Sequence, residues 1–294
     1  MASDNPPKLR MAPPETAEAL ARRLEHEQRA ANLQRESGLE QSLAPFRVGS
    51  VAYLNAVPLT RGIENEVLLA TPSELARKLR QDELDAALVS VVEVLFQDRY
   101  DILEGIAIAS LGEVQSVLLA HRRPLEEVRE VYCDPASLTS VELLRVLLAE
   151  RGLHPVFKAL PGYDFAQLPD YALLIGDRAL DLLVGPHEHQ IWDLGEAWYD
   201  LTKLPFVYAV WALRRGVSNA DLRQRLREAR DFGLDTLDSI IRTRPEYTLD
   251  FRKDYLGWHI HYHLGSDEKR GIARFIELLR KHGASLIFEP RFVT

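Results

Sequence analysis

The chain alternates between short apolar runs and longer segments whose apolar residues recur at helical spacing. Residues 84–89 read Leu-Asp-Ala-Ala-Leu-Val and residues 171–175 read Tyr-Ala-Leu-Leu-Ile. Such runs predict strands that are buried on both faces of a sheet. Further strands are predicted at residues 46–55, 116–120, 131–133, 156–159 and 205–213. Because helical segments separate many of these strands, the pattern predicts an α/β fold.

One helix start is marked with particular clarity, at Thr71-Pro72-Ser73-Glu74. Thr71 is suited to the N-cap, Pro72 to the first helical position, and Glu74 to the N3 position that completes a capping box. Helices are also predicted up to residue 95, over residues 140–151, around Leu180 and Trp198, and through most of the chain from residue 219 onward. We interpret the apolar residues of this last part as packing faces.

The order of the elements predicts two lobes. A self-contained α/β stretch lies between the apolar segments at residues 116–120 and 205–213. We therefore assign residues 46–122 and 206–294 to a discontinuous first lobe, and residues 123–205 to an inserted second lobe. The chain would cross twice between these lobes, and a ligand cleft would lie where they face each other.

The N-terminal residues 1–45 are polar and are predicted to be partly helical over residues 15–35. The apolar stripe of this helix is thin, so we expect it to pack weakly or against a second copy of the chain, and a homodimer is one candidate assembly. No chemistry is assigned to this extension.

Composition narrows the class of protein. The 36 Lys and Arg residues against 44 Asp and Glu residues give a net charge of -8, which disfavours nonspecific binding to nucleic acid or to anionic membranes. Cys133 is the single cysteine and the N-terminus lacks the apolar core of a secretory signal, so we expect a cytoplasmic protein. Glycine-rich dinucleotide and phosphate-binding motifs are missing, so no cofactor is expected.

Asn55 stands at the end of the first predicted strand, and Pro58 prevents that strand from continuing. Ligands of open α/β sheets bind outside the carboxyl ends of strands, where an amide can both donate and accept hydrogen bonds. Asn is also a common turn residue, and the local sequence leaves both interpretations open.

Three further positions carry candidate chemistry, each with a structural alternative. The segment from Asp134 to Ser140 leaves a strand and opens a helix, which suits an anion, although Thr139 or Ser140 could instead cap that helix. Asp177 could act as a general base, but its position before an apolar helical run favours a cap. Ser116 stands at the start of an apolar strand, where it is either an exposed hydroxyl or an inert strand residue.

The histidines at positions 259, 261 and 263 would lie on one face of an extended chain, and His187 with His189 repeats the spacing. No carboxylate or cysteine stands beside them at a familiar ligand spacing. We therefore predict no metal site.

Several separated motifs resemble those of the chorismate dehydratases of the futalosine route to menaquinone. The resemblance covers about residues 46–285. It is carried by Arg47-Val48-Gly49 through Tyr53-Leu54-Asn55-Ala56-Val57-Pro58-Leu59, by residues 112–119, by residues 173–180, and by residues 193–195 through 204–212.

This resemblance implies a two-lobed, periplasmic-binding-protein-like type II fold, with mixed sheets flanked by helices and a ligand cleft between the lobes. It implies a carbon–oxygen lyase that removes water from the dianion chorismate without a metal or an organic cofactor. Asn55 and Ser116 match the family's catalytic residues, and the loop from Ser137 to Ser140 matches its loop for the substrate carboxylate. The complete set of residues that we expect to contact substrate also includes Tyr53, Ser90, Thr139, Gly176, Asp177 and Phe206.

Two other functions fit the same fold. A solute-binding protein for a small carboxylate would close around its ligand without chemistry, and we expect such a protein to carry a secretion or lipoprotein signal. A 1,4-dihydroxy-6-naphthoate synthase usually has a Pro-Asn-Asp type segment after its opening strand, where this chain has Tyr53-Leu54-Asn55.

Overall fold

The computed structural model describes residues 43–284 and 286–294. The helix predicted over residues 15–35 lies outside the described residues. The strands are β1 Val48–Ser50, β2 Val67–Leu69, β3 Ala86–Ser90, β4 Tyr100–Ser110, β5 Val117–His121, β6 Glu130–Cys133, β7 Val156–Ala159, β8 Tyr171–Ile175, β9 Gln190–Asp193, β10 Phe206–Arg214 and β11 Phe292–Val293.

The α-helices of the described residues follow the predicted order. They are α1 Pro72–Arg80, α2 Val91–Phe96, α3 Thr139–Glu150, α4 Gly176–Val184, α5 Leu194–Thr202, α6 Ala220–Asp235, α7 Leu237–Thr243, α8 Leu249–Asp254 and α9 Ser266–Lys281. A 3-10 helix spans Leu54–Thr60, and a π-helical turn spans Tyr255–His259. None of these described helices is long and apolar enough to cross a membrane.

Two mixed sheets organise the strands. The first has the order β11-β4-β10-β3-β1-β2, and the second has the order β7-β6-β8-β5-β9. In the first sheet β10 runs antiparallel to β3 and β4, while β1 runs parallel to β2 and β3. In the second sheet β5 runs antiparallel to β8 and β9. The chain passes to the second sheet after β4 and returns to the first at β10, so two crossings frame a cleft.

The start of α1 confirms the capping-box prediction. The Thr71 hydroxyl accepts a hydrogen bond from the Glu74 backbone N–H at 3.3 Å, and the Glu74 carboxylate accepts one from the Thr71 backbone N–H at 3.3 Å. Pro72 occupies the first helical position, where its missing N–H costs nothing.

The opening strand is shorter than predicted. β1 ends at Ser50, and Asn55 lies in the 3-10 helix that also contains Pro58. The pairing of β1 with β2 and β3 ends within Val48–Ser50. Because a short apolar run does not distinguish a strand from a buried helical turn, the local pattern misplaced this boundary.

The first crossing lies earlier than the predicted lobe boundary at residue 122. β5 at Val117–His121 pairs with β8 and β9, so its hydrogen bonds place it in the second sheet. The predicted first lobe therefore contains one strand that belongs to the second sheet.

Candidate active site

A cleft opens where the loops after β1, β3, β4, β6 and β8 meet, with about 600 Å³ of space that includes its opening to solvent. Most of the predicted site residues line it, namely Tyr53, Asn55, Ser90, Ser116, Ser137, Thr139, Ser140 and Gly176. The two sheets both contribute, so residues that are far apart in the sequence share one small volume.

The lining of this cavity is mainly apolar, and its polar groups are uncharged. It combines hydroxyl groups, one amide and apolar side chains, and the described residues that line it include no Asp, Glu, Lys, Arg or His. An anionic ligand would therefore be held by hydroxyls and backbone N–H groups. Such a lining suits a reaction in which the protein orients the substrate rather than supplying a strong acid or base.

Asn55 is buried, and its two amide atoms differ in their partners. Its Nδ2 donates a hydrogen bond to the Tyr255 hydroxyl at 3.0 Å. Its Oδ1 is buried without a partner in the described part of the chain. Because an unsatisfied buried acceptor costs free energy, this oxygen is suited to a hydrogen-bond donor from a ligand.

Ser116 is held at the first crossing by a buried carboxylate. Asp193 accepts hydrogen bonds from the backbone N–H groups of Val114 at 3.1 Å and Gln115 at 2.7 Å. The same carboxylate caps α5 through the N–H of Gly195 at 2.8 Å. Burial raises the pKa of Asp193 to about 6, although these backbone hydrogen bonds oppose the shift.

Sequence reasoning missed this role of Asp193. The signal that could have indicated it is an Asp directly before a helical run, which is typical of an N-cap. The contact to residues 114 and 115 depends on the tertiary fold.

In the loop between β6 and α3, neither Thr139 nor Ser140 takes the capping role that was one of its two interpretations. The N-cap of α3 is Leu138, and no side chain caps this helix. The Thr139 hydroxyl instead bonds to the Ser90 hydroxyl across the cleft and donates to the Tyr208 carbonyl oxygen at 3.2 Å. The Ser137 hydroxyl is buried without a partner among the described residues.

The helices α3 and α4 begin at the cavity, and the N-cap residue of each makes no side-chain cap hydrogen bond in the described part of the chain. Leu138 precedes α3 and Ile175 precedes α4, and neither side chain can accept a hydrogen bond. In contrast, Thr71 caps α1 and Asp193 caps α5. The uncapped helix starts place backbone N–H groups and positive dipole ends beside the cavity.

Asp177 lies beside the cavity rather than in its lining, and it does not cap α4. Its carboxylate accepts a hydrogen bond from the Leu54 backbone N–H at 3.2 Å. Its carbonyl oxygen accepts one from the Tyr247 hydroxyl at 3.2 Å. Burial raises the pKa of Asp177. The N-cap interpretation is therefore wrong, and the residue fastens the segment before Asn55 to the second lobe.

Phe206 also lies outside the cavity lining. It packs edge-on against Trp198 and Phe275, with both pairs of ring centroids 5.0 Å apart. The residues of this strand that line the cavity are Tyr208 and Ala209, which the sequence analysis did not select. The Tyr208 hydroxyl lies 3.0 Å from the Ser110 hydroxyl. The Phe206 ring packs edge-on against the Tyr208 ring, so Phe206 supports the cavity wall from behind.

Gly176 allows Tyr53 to lie against the start of α4. The glycine has a φ of +57°, and a Cβ at this position would lie 2.9 Å from the Tyr53 ring. A larger residue would therefore be strained and would displace the ring. Burial raises the pKa of Tyr53 well above its ordinary value.

Of the three histidines predicted to share a face, His261 and His263 stay together with stacked rings, and His259 has other partners. His259 bonds to the Glu113 carbonyl oxygen at 3.0 Å, whereas His261 and His263 lie beside Glu268 with possible ligand atoms within 4.8 Å of one another. Sequence spacing did not indicate Glu268. Its carboxylate bonds to the Gly265 N–H at 2.8 Å and to His263 at 3.1 Å, which is the geometry of a helix cap with a His–Glu pair.

In the second predicted pair the His187 ring bonds to the backbone, whereas both ring nitrogens of the buried His189 have no hydrogen-bond partner among the described residues. The His187 Nδ1 atom lies 3.1 Å from the His189 carbonyl oxygen. The prediction of no metal site stays a prediction.

Comparison with known families and sequences gives a consistent result. A family model described as Menaquinone biosynthesis matches residues 46–281. The chain is also 34% identical over 275 residues to a chorismate dehydratase from Thermus thermophilus, a match that covers 85% of this chain and 99% of the relative.

Solved structures with similar folds include a protein from Archaeoglobus fulgidus, with a TM-score of 0.65 and 17% identity over 82% of this chain and 98% of that one. Another is the alkanesulfonate-binding protein SsuA from Xanthomonas axonopodis pv. citri, with a TM-score of 0.60 and 14% identity over 81% of this chain and 92% of that one. At these identities the likeness concerns the fold. The predicted periplasmic-binding-protein-like, two-lobed α/β fold is confirmed.

Proposed function

The chain belongs to the menaquinone biosynthesis family, and we propose that it removes water from chorismate to leave 3-[(1-carboxyvinyl)oxy]benzoate. The observation that carries this proposal is the likeness to a chorismate dehydratase over 85% of the chain. The family model spans residues 46–281, which include every residue of the cavity lining. The reaction class is that of a hydro-lyase.

The cavity offers neutral groups for a dianionic substrate. The uncapped starts of α3 and α4 provide backbone N–H groups for a carboxylate, and the Ser137 hydroxyl, which has no partner among the described residues, provides a further donor. Hydroxyls and helix starts can bind anions without a Lys or Arg. We assign the ring carboxylate of chorismate to this second-lobe side of the cavity.

The chemistry requires little acid or base strength from the protein. A proton leaves the ring carbon that bears the enolpyruvyl ether, its bonding electrons form the third ring double bond, and the neighbouring hydroxyl departs with a proton as water. The product ring is aromatic, which supplies a large driving force. The proton acceptor is either the carboxylate of the substrate's own side chain or a bound water.

Asn55 and Ser116 would orient the reacting groups. We assign the buried, unpartnered Oδ1 of Asn55 and the Ser116 hydroxyl to the ring hydroxyl and the enolpyruvyl group. Correct orientation selects dehydration over the other breakdown reactions of chorismate, because only interactions that are stronger in the transition state accelerate a step.

A non-catalytic solute-binding protein remains the alternative, because the same fold occurs in an alkanesulfonate-binding protein. Incubating the purified full chain with chorismate and following the benzoate product by mass spectrometry separates the two functions. We expect the product to form catalytically. Tight binding of chorismate without product would overturn the proposal in favour of the binding protein.

A further inference from the structure

We propose that Tyr255 is a positioning residue that sets the orientation of Asn55, an inference that rests on the function proposed above. The Tyr255 side chain is fully buried and is absent from the cavity lining. Its hydroxyl accepts a hydrogen bond from Asn55 Nδ2 at 3.0 Å. Tyr255 therefore contacts a residue assigned to the reaction, and it can act on substrate only through that residue.

The contact that carries this role is the one with Asn55. The Ser116 hydroxyl donates instead to the Val114 carbonyl oxygen at 3.3 Å, within its own loop.

The same contact determines which atom of Asn55 is left for the substrate. With Nδ2 bonded to Tyr255, Oδ1 is buried without a partner in the described residues. Tyr255 therefore holds a hydrogen-bond acceptor in the place where we assign the substrate hydroxyl.

The backbone and a neighbouring ring hold Tyr255 in place. It begins the π-helical turn Tyr255–His259, directly after α8. Such turns are rare and are frequent at functional sites. The Phe251 ring stacks on the Tyr255 ring with 6.0 Å between centroids. The tyrosine hydroxyl is thus presented from a rigid support, which is what a positioning role requires.

Tyr255→Phe tests this role by removing the hydroxyl while keeping the ring. We expect kcat for chorismate to fall about tenfold, the effect of losing roughly 1.4 kcal/mol of transition-state stabilisation, while KM changes by less than about threefold. The matched control is Tyr262→Phe, since Tyr262 is also buried and its hydroxyl has no partner in the described part of the chain. Its kcat should equal that of the wild type.

A double-mutant cycle separates positioning from general support of the fold. If Tyr255 acts through Asn55, then Tyr255→Phe should lower kcat less than about twofold in an Asn55→Ala background. An equal tenfold loss in both backgrounds, or a Tyr255→Phe enzyme that matches Tyr262→Phe, would overturn the inference.

Calorimetric titration of the same four proteins of the cycle with the benzoate product provides a readout that does not need turnover. Product formation by the wild type without coupling between positions 55 and 255 would overturn the positioning role alone. If the wild type formed no product but bound it with coupling between positions 55 and 255, the proposed function would be overturned and the positioning role supported. If the wild type neither formed the product nor bound it, the proposed function and the positioning role would both be overturned.

Discussion

Gly233 of α6 lies directly against the backbone of Pro58, in the 3-10 helix that carries Asn55. A Cβ at Gly233 would lie 1.7 Å from the Pro58 carbonyl oxygen and 2.8 Å from its Cα. These distances leave room for the hydrogen atom of a glycine but not for a Cβ. The helix α6 thus fixes the position of the 3-10 helix that carries Asn55 from outside the cavity lining.

Gly233→Ala should therefore destabilise the protein and also reduce turnover. The gain in helix propensity, about 1 kcal/mol, is smaller than the cost of a backbone clash, which we expect to be about 3 kcal/mol. Urea unfolding measures the stability, and chorismate turnover below the unfolding range measures the displacement of Asn55.

The matched control is Gly162→Ala, because nothing lies within 4 Å of a Cβ at that glycine. It should change the free energy of unfolding by less than about 1 kcal/mol. If Gly233→Ala behaved like Gly162→Ala, α6 would not constrain the 3-10 helix.

Much of the fold could be predicted from local sequence, because caps and buried apolar runs are local signals. Thr71, Pro72 and Glu74 form the predicted capping box. The 3-10 helix at Leu54–Thr60 could not be predicted in this way, since its apolar residues fit either a strand or a buried turn.

The supporting residues of the site are less accessible to sequence reasoning. Asp193 and Tyr255 contact the segments of Ser116 and Asn55 across 78 and 200 residues of sequence, respectively. Such contacts depend on the packing of the whole chain. Phe206 is an error of the other kind, because the sequence analysis selected it as a site residue and it packs behind the cavity wall.

Ser137→Ala tests the assignment of the second-lobe loop to a substrate carboxylate. The Ser137 hydroxyl has no partner among the described residues, so removing it should leave the fold intact. A hydrogen bond to a charged group contributes about 1.5–3 kcal/mol, so we expect KM for chorismate to rise about tenfold or more.

Turnover at saturation should change little in this variant, because a carboxylate contact contributes equally to the ground state and the transition state. The exposed Ser218 offers the control Ser218→Ala, which should leave both constants unchanged. A Ser137→Ala enzyme with wild-type KM would contradict the assignment.

Asp85 should make the stability of the first sheet depend on pH. It receives hydrogen bonds from Arg47 at 3.1 Å and from Arg214 at 2.6 Å. Burial acts to raise the pKa of Asp85, but the hydrogen bonds from the two arginines outweigh it and lower the pKa to about 2 from an ordinary value of 3.8.

Because the unfolded chain binds more protons in this interval, the stabilisation by Asp85 is complete above about pH 4 and is lost as the pH falls towards 2. Asp85→Asn should lower the stability at pH 7, and its difference from the wild type should shrink towards pH 3. Urea unfolding across this range measures the difference, with the exposed Asp235→Asn as control. A constant difference would contradict the assigned pKa.

The most direct test of the central claim compares chorismate turnover by the wild type and by Asn55→Ala. The account predicts that the variant is folded and that its kcat is lower by about a hundredfold, the scale of losing one positioned transition-state contact. Asn219→Ala is the control, since Asn219 makes no side-chain capping bond at the start of α6. Wild-type turnover by Asn55→Ala, measured as formation of the benzoate product by mass spectrometry, would contradict the account.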